Sequence, residues 1–141
     1  MPFVWGEKYR LGINEIDRQH QTFLLLLNKA YDFYTHAARN LPPDEVRQRV
    51  LKDLAGIRDF AKGHFATEES FMARHEYPKM AEHRREHEKL LDIASFFEEK
   101  AGRTGTFSPL EWIHVILQWY DHHVQHIDQE LGEFLKGGEN R

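Results

Sequence analysis

The stretch Leu54-Ala55-Gly56-Ile57-Arg58-Asp59-Phe60-Ala61-Lys62-Gly63-His64-Phe65-Ala66-Thr67-Glu68-Glu69 reads as one helix with a single inward face. Leu54, Ile57, Ala61, His64 and Glu68 recur at intervals of three and four, so they share a stripe. Such a stripe normally stays apolar because it faces a core. This one ends in an imidazole and a carboxylate one turn apart. Traced backwards, it runs through Val50 and Val46 to a start near Pro43 or Asp44. Traced forwards, it reaches Phe71 and stops before Tyr77-Pro78.

Three further stretches repeat the pattern. Asn14 is a candidate N-cap with Asp17 at the third helical position, opening a helix whose stripe is Ile16, His20, Phe23, Leu24, Leu27, Tyr31 and Tyr34. Asn40-Leu41-Pro42-Pro43 ends it. Pro78 suits the first turn of a third helix, with Met80, His83, His87, Leu90, Leu91, Ala94 and Phe97 inward. Gly102-Arg103-Thr104-Gly105-Thr106 breaks that element. Ser108-Pro109-Leu110-Glu111 reads as a capping box with proline at the first helical position. The fourth helix then runs to about Leu135, with Ile113, Ile116, Tyr120, His123, Ile127, Leu131 and Phe134 inward. Residues 1–12 read as an extended arm whose Trp5 and Tyr9 pack over one end. The expected organisation is one domain over residues 1–136 and a flexible tail over 137–141.

Four amphipathic helices with short loops predict an all-α, antiparallel, up-down-up-down four-helix bundle. That topology brings the start of the first helix, the end of the second, the start of the third and the end of the fourth together. His20, His64, Glu68, His83, His87, His123 and Asp128 then fall at one depth, pointing inward. A lone histidine on an apolar face is usually an ordinary core residue. Seven such groups at one level are not, because buried carboxylates cost several kcal/mol each without partners. Bound cations supply the missing charge. His36, His75, His114, His122 and His126 lie off the stripes or near helix ends and are read as surface residues. Glu69 sits one position off the His64–Glu68 face. Glu111-x-x-His114 matches half of a carboxylate-rich di-iron motif, but that architecture needs two copies and more glutamates.

The 141 residues fit a single domain, and 30% of them are charged, with a net charge of −4. Neither number favours nucleic-acid binding. There is no cysteine, which rules out thiolate ligation and disulfides and is compatible with a cytoplasmic setting. The longest apolar run, Phe23–Leu27, is far short of the roughly 20 residues that span a bilayer, so no membrane insertion is expected. An imidazole and carboxylate donor set suits non-haem iron, with manganese or zinc as alternatives. Two octahedral ions offer twelve positions. Five histidines, two bridging carboxylates and a bridging oxide or hydroxide fill all but one of them.

At this point the chain resembles a known family. Trp5, Gly12-Ile13-x-x-Ile16-Asp17-x-Gln19-His20, His64-Phe65-x-x-Glu68-Glu69, Met72 with Tyr77-Pro78, His83-x-x-x-His87 and Trp119-x-x-x-His123-x-x-x-x-Asp128 resemble a hemerythrin, specifically a single-domain bacterial hemerythrin-like protein. The resemblance implies two non-haem iron ions (Fe2+/Fe3+) joined by an oxide or hydroxide. It implies His83, His87 and His123 on one iron, His20 and His64 on the other, and Glu68 and Asp128 bridging. It also implies reversible O2 binding at the iron with two histidines, for storage, delivery or sensing, without catalysis. The alternative is a di-iron oxidase, peroxidase or scavenger of nitric oxide or peroxide that uses the same position. Phe23, Leu24, Leu90, Trp119 and Tyr120 lie within a turn of the ligand positions and are expected to wall the O2 pocket. Tyr120 departs from the aliphatic residue usual there. Its phenol either bonds a bound ligand or small anion, or packs and bonds elsewhere.

Overall fold

A computed structural model describes residues 3–103 and 108–139. Its helices are α1 (Asn14–Thr35), α2 (Pro43–Arg74), α3 (Met80–Gly102), α4 (Pro109–His122) and α5 (Gln129–Glu139). Six residues in π-helical conformation, His123–Asp128, join α4 to α5 without a break, so the two form one rod. Among the described residues the protein is an all-helical bundle of four rods. Short 3-10 turns occupy Glu7–Tyr9 and Ala37–Asn40. The expected stripes of α1, α2 and α3 supply the core, with Leu27, Leu54, Ile57 and Leu90 essentially inaccessible.

The helix ends differ in detail from expectation. Ile13 occupies the N-cap of α1, and Asn14 is its first residue, with no side-chain cap. Pro109 opens α4 as expected, but the Ser108 side chain makes no capping bond, so the capping box does not form. Pro78 lies in the turn before Lys79, the N-cap of α3, rather than in the first turn. The expected break after α3 is partly outside the described residues at 104–106. The fourth rod continues through Glu139, past its expected end near Leu135. Residues 140 and 141 of the expected tail lie outside the described residues.

The larger difference is the inward face of the fourth rod. Val124, Asp128, Leu131 and Leu135 are buried, whereas Ile127 and Phe134 are only partly covered. A π turn contains one residue more than an α turn, so everything after it is rotated on the core. The period-3.6 stripe expected for an uninterrupted helix therefore slips by one position.

The N-terminal arm does not merely cover an end. It runs along the seam between α1 and the fourth rod. The Phe3 amide and carbonyl pair with the Asn28 side chain at 3.1 and 2.7 Å. The Tyr9 hydroxyl donates to Asp121 at 2.7 Å. Leu11 packs against Gly132, where a Cβ would stand 3.2 Å from the leucine side chain. Gly12, at φ +87°, turns the chain so that the Leu11 and Gly12 amides both donate to the buried Asp17 carboxylate at 2.8 and 2.9 Å. Asp17 thus anchors the arm one turn from His20. Asp17→Ala removes two hydrogen bonds to a charged acceptor and is expected to lower stability by about 2–3 kcal/mol, read as a lower urea midpoint. An unchanged midpoint would separate the arm from the stability of the bundle.

Candidate metal centre

The bundle delivers five imidazoles and two carboxylates to one place. His20 comes from α1, His64 and Glu68 from α2, His83 and His87 from α3, and His123 and Asp128 from the π segment. All seven are buried, Glu68 and Asp128 completely. The π segment explains how the last pair meets. Residues five apart on an α-helix point about 140° from each other, whereas the i→i+5 turn of a π-helix aligns them. His123 Nε2 accordingly lies 3.0 Å from Asp128 Oδ1.

The donors fall into two overlapping groups. Atoms of Glu68, His83, His87, His123 and Asp128 lie within 4.8 Å of one another, as do those of His20, His64, Glu68 and Asp128. Both carboxylates belong to both groups. Asp128 presents Oδ1 to His83 at 2.9 Å and to His123, and Oδ2 to His20 at 3.0 Å. Glu68 Oε1 lies 3.1 Å from His87 Nε2 and 3.3 Å from His64 Nε2. His20 Nε2 stands 3.9 Å from Glu68 Oε2. All five imidazoles therefore aim Nε2 at two shared carboxylates.

Two residues outside the set hold two of the rings. His64 Nδ1 pairs with Gln19 Oε1 at 2.6 Å, and the Gln19 amide also donates to Thr67 at 3.2 Å. His87 Nδ1 pairs with Glu69 at 3.1 Å, whose other oxygen is held by Arg84 at 3.2 Å. Each contact keeps the proton on Nδ1 and leaves Nε2 bare to face inward. Phe65 stacks on His87 with ring centroids 3.8 Å apart, and Trp119 on His123 at 4.3 Å. Sequence reading passed over Gln19, Glu69 and Phe65 as functional parts. Their signals were membership of the quoted motifs and adjacency to His20, Glu68 and His64: a neighbouring helical position points at the next helix rather than at the core centre.

Electrostatics fit cations. Burial pushes the Glu68 carboxyl up, as does the Asp128 charge. His64 and His87 outweigh both, bringing it down to about 2. Burial also raises the Asp128 carboxyl, but the charge and hydrogen bond of His123, with the hydrogen bonds of His20 and His83, hold it well below the usual range. Burial lowers the His20 and His83 imidazoles. Asp128, by hydrogen bond and charge, overcomes this and raises both. Burial dominates at His123 and lowers it. These contacts are short but poorly aligned: buried nitrogens of His20, His83 and His123 and oxygens of Glu68 and Asp128 make no well-directed hydrogen bond. Orphaned donors of this kind, nitrogen and oxygen only, fit a pair of borderline or hard cations.

A cavity of about 10 Å³ adjoins the cluster, room for one molecule the size of water. His20, Phe23, His64, Phe65, Trp119, Tyr120, His123 and Val124 line it. Phe23, Trp119 and Tyr120, expected at an O2 pocket, are among its lining residues. Leu24 and Leu90 do not line it: Leu24 faces a surface groove beside the arm, and Leu90 is core. Phe65 and Val124 take their places, the latter turned inward by the π segment. The Tyr120 hydroxyl donates to the His20 carbonyl at 3.0 Å, and its ring stacks on Phe23 at 5.4 Å. His36, His75, His114, His122 and His126 are all exposed.

Residues 11–135 match the family model of the hemerythrin HHE cation binding domain. The chain belongs to the hemerythrin family. Among its relatives is a bacteriohemerythrin of Clostridium acetobutylicum, 24% identical and covering 91% of this chain and 97% of that protein. Another, from Methylococcus capsulatus, is 27% identical over 91% of this chain and 92% of its own length. A myohemerythrin of Riftia pachyptila is 25% identical over 90% and 88%. A crystal structure of wild-type hemerythrin superposes with a TM-score of 0.79 at 23% identity, covering 96% of this chain and 98% of that one. That likeness carries the bundle fold. No helix among the described residues is long and apolar enough to cross a membrane.

Metal binding requires bare Nε2 atoms. Protons and cations compete for Nε2, and Asp128 raises the His20 and His83 imidazoles toward the protonated form, so affinity falls as pH drops through their raised values. Adding ferrous ion anaerobically to chelator-stripped protein in weak buffer near pH 7 should release protons, read with an indicator dye. It should also raise the unfolding temperature, because the ions bind only the folded cluster. Uptake without proton release would place the ions elsewhere.

Proposed function

We propose that this protein binds O2 reversibly at two iron ions held by His20, His64, Glu68, His83, His87, His123 and Asp128, for storage, delivery or sensing. One asymmetry carries this function. Both donor groups share Glu68 and Asp128, but one adds three histidines and the other two, and the small cavity adjoins both histidines of the second group but only His123 of the first. His83, His87 and His123 would hold one iron and His20 and His64 the other, with Glu68 and Asp128 available to both. The iron pair, when bound, supplies reversible electron transfer to O2 at the position facing the cavity.

The chain's own residues do the rest. Phe23, Phe65, Trp119, Tyr120 and Val124 exclude bulk water, which slows protonation and loss of reduced oxygen species. Gln19 and Glu69 hold the Nδ1 protons of His64 and His87 and so fix which nitrogen faces the metals. Tyr120 keeps its hydroxyl on the His20 carbonyl, so it presents ring rather than donor to the cavity. The names of the relatives, bacteriohemerythrin and myohemerythrin, agree with this function.

Reduced protein under nitrogen should be colourless, gain near-ultraviolet and visible charge-transfer bands in air, and lose them under vacuum. Direct conversion to a stable oxidised form that vacuum does not reverse would contradict reversible binding. The ligand roles make a second distinction. Glu68→Gln should weaken both metal positions, whereas His64→Ala should chiefly empty the one beside the cavity, as counted by metal analysis. Selective loss of one iron to the same extent in both variants would contradict the bridging role of Glu68.

A further inference from the structure

The centre is completely buried, so the ions must pass the protein wall to reach it. A depression of about 140 Å³ ends on His83, with Glu82, Glu86 and Glu130 around its mouth. Lys79 also stands there, in contact with Glu130, and Lys89 bonds Glu86 at 2.8 Å. His83 forms the floor. It is 2% exposed, its Nε2 points inward at Asp128, and its Nδ1 is buried without a hydrogen-bond partner. That sets it apart from His64 and His87, whose Nδ1 atoms are tied to Gln19 and Glu69. An imidazole with no outer bond swings about its side-chain torsions at lower cost than a tied one.

The neighbouring depression, about 260 Å³, ends on His87 and is different in both respects. Its carboxylates, Glu69 and Glu88, are matched by Lys62 and Arg84, and Glu69 is bound to both Arg84 and His87. The lining over His83 carries three carboxylates against one lysine, and a cleft of net negative charge concentrates cations where a balanced one does not. Carboxylate oxygens also replace water around a divalent cation readily.

We propose that the acidic depression of Glu82, Glu86 and Glu130 over His83 is the route by which ferrous ion enters the centre, and that His83 is the first ligand to receive it. This rests on the di-iron function above. The carboxylates gather the hydrated cation, and the untied His83 ring carries it inward to Asp128.

The route is tested by the rate of uptake, separately from its endpoint. Chelator-stripped protein is mixed anaerobically with ferrous ion at low ionic strength, and unbound ion is trapped at timed intervals with a ferrous chelator. The double variant Glu82→Gln/Glu86→Gln should load about tenfold more slowly than wild type. Lys79→Gln should load faster, since it removes a cation from the mouth. Glu88→Gln, beside His87, should load at the wild-type rate, and high salt should erase the differences. All of these should reach the same metal content at saturation. Equal rates throughout, slowing by Lys79→Gln, or reduced final content in the double variant would overturn the route. Wild type that takes up fewer than two ions at saturation would instead refute the di-iron function itself.

Discussion

Two carboxylates, Glu68 and Asp128, stand fully buried at the centre of a helical core, and everything around them answers to that charge. A buried anion costs several kcal/mol unless it is paired. Here five imidazoles converge on the pair, and they leave several buried nitrogens and oxygens without hydrogen bonds. Their charge also pulls the His20 and His83 imidazoles toward the protonated form. Cations compensate it fully and satisfy the orphaned atoms together. The bundle is therefore a frame built to hold this cluster at fixed geometry, with the cation-binding domain family as its setting.

The π segment is where the frame yields to the cluster. A straight α-helix cannot point His123 and Asp128 at one spot. The six-residue π stretch aligns them, turns Val124 toward the cavity, and displaces Ile127 outward. Such segments cost regular hydrogen bonding and concentrate at functional positions. The arm anchored on Asp17 supports the same region from outside, placing Tyr9 against Tyr120, with ring centroids 5.6 Å apart.

Much of this was legible in the residues. The stripes of α1, α2 and α3 follow a 3.6 period, and His20, His64, Glu68, His83 and His87 stood out because polar groups interrupted those stripes. The same stripes correctly set aside His122 and His126. What was not legible has physical causes. A π turn has no propensity signal of its own; only the five-residue gap between His123 and Asp128 hinted at it, and the stripe expectation for Ile127 and Phe134 failed accordingly. Gln19 and Glu69 act across helices, so their role depends on packing rather than on spacing. Leu24 and Leu90 were close to ligand positions in sequence, but their helical phase turns them away from the cavity. The path of the arm depends on Leu11 and Gly12 meeting Asp17 and on Leu11 meeting Gly132, which no local pattern encodes.

Anomalous diffraction at the iron edge, from crystals of natively purified protein, tests the central claim most directly. Two peaks are predicted inside the bundle. One should lie among Glu68, His83, His87, His123 and Asp128, and the other among His20, His64, Glu68 and Asp128. A single peak, no peak within the cluster, or iron at the exposed His122–His126 pair would contradict it.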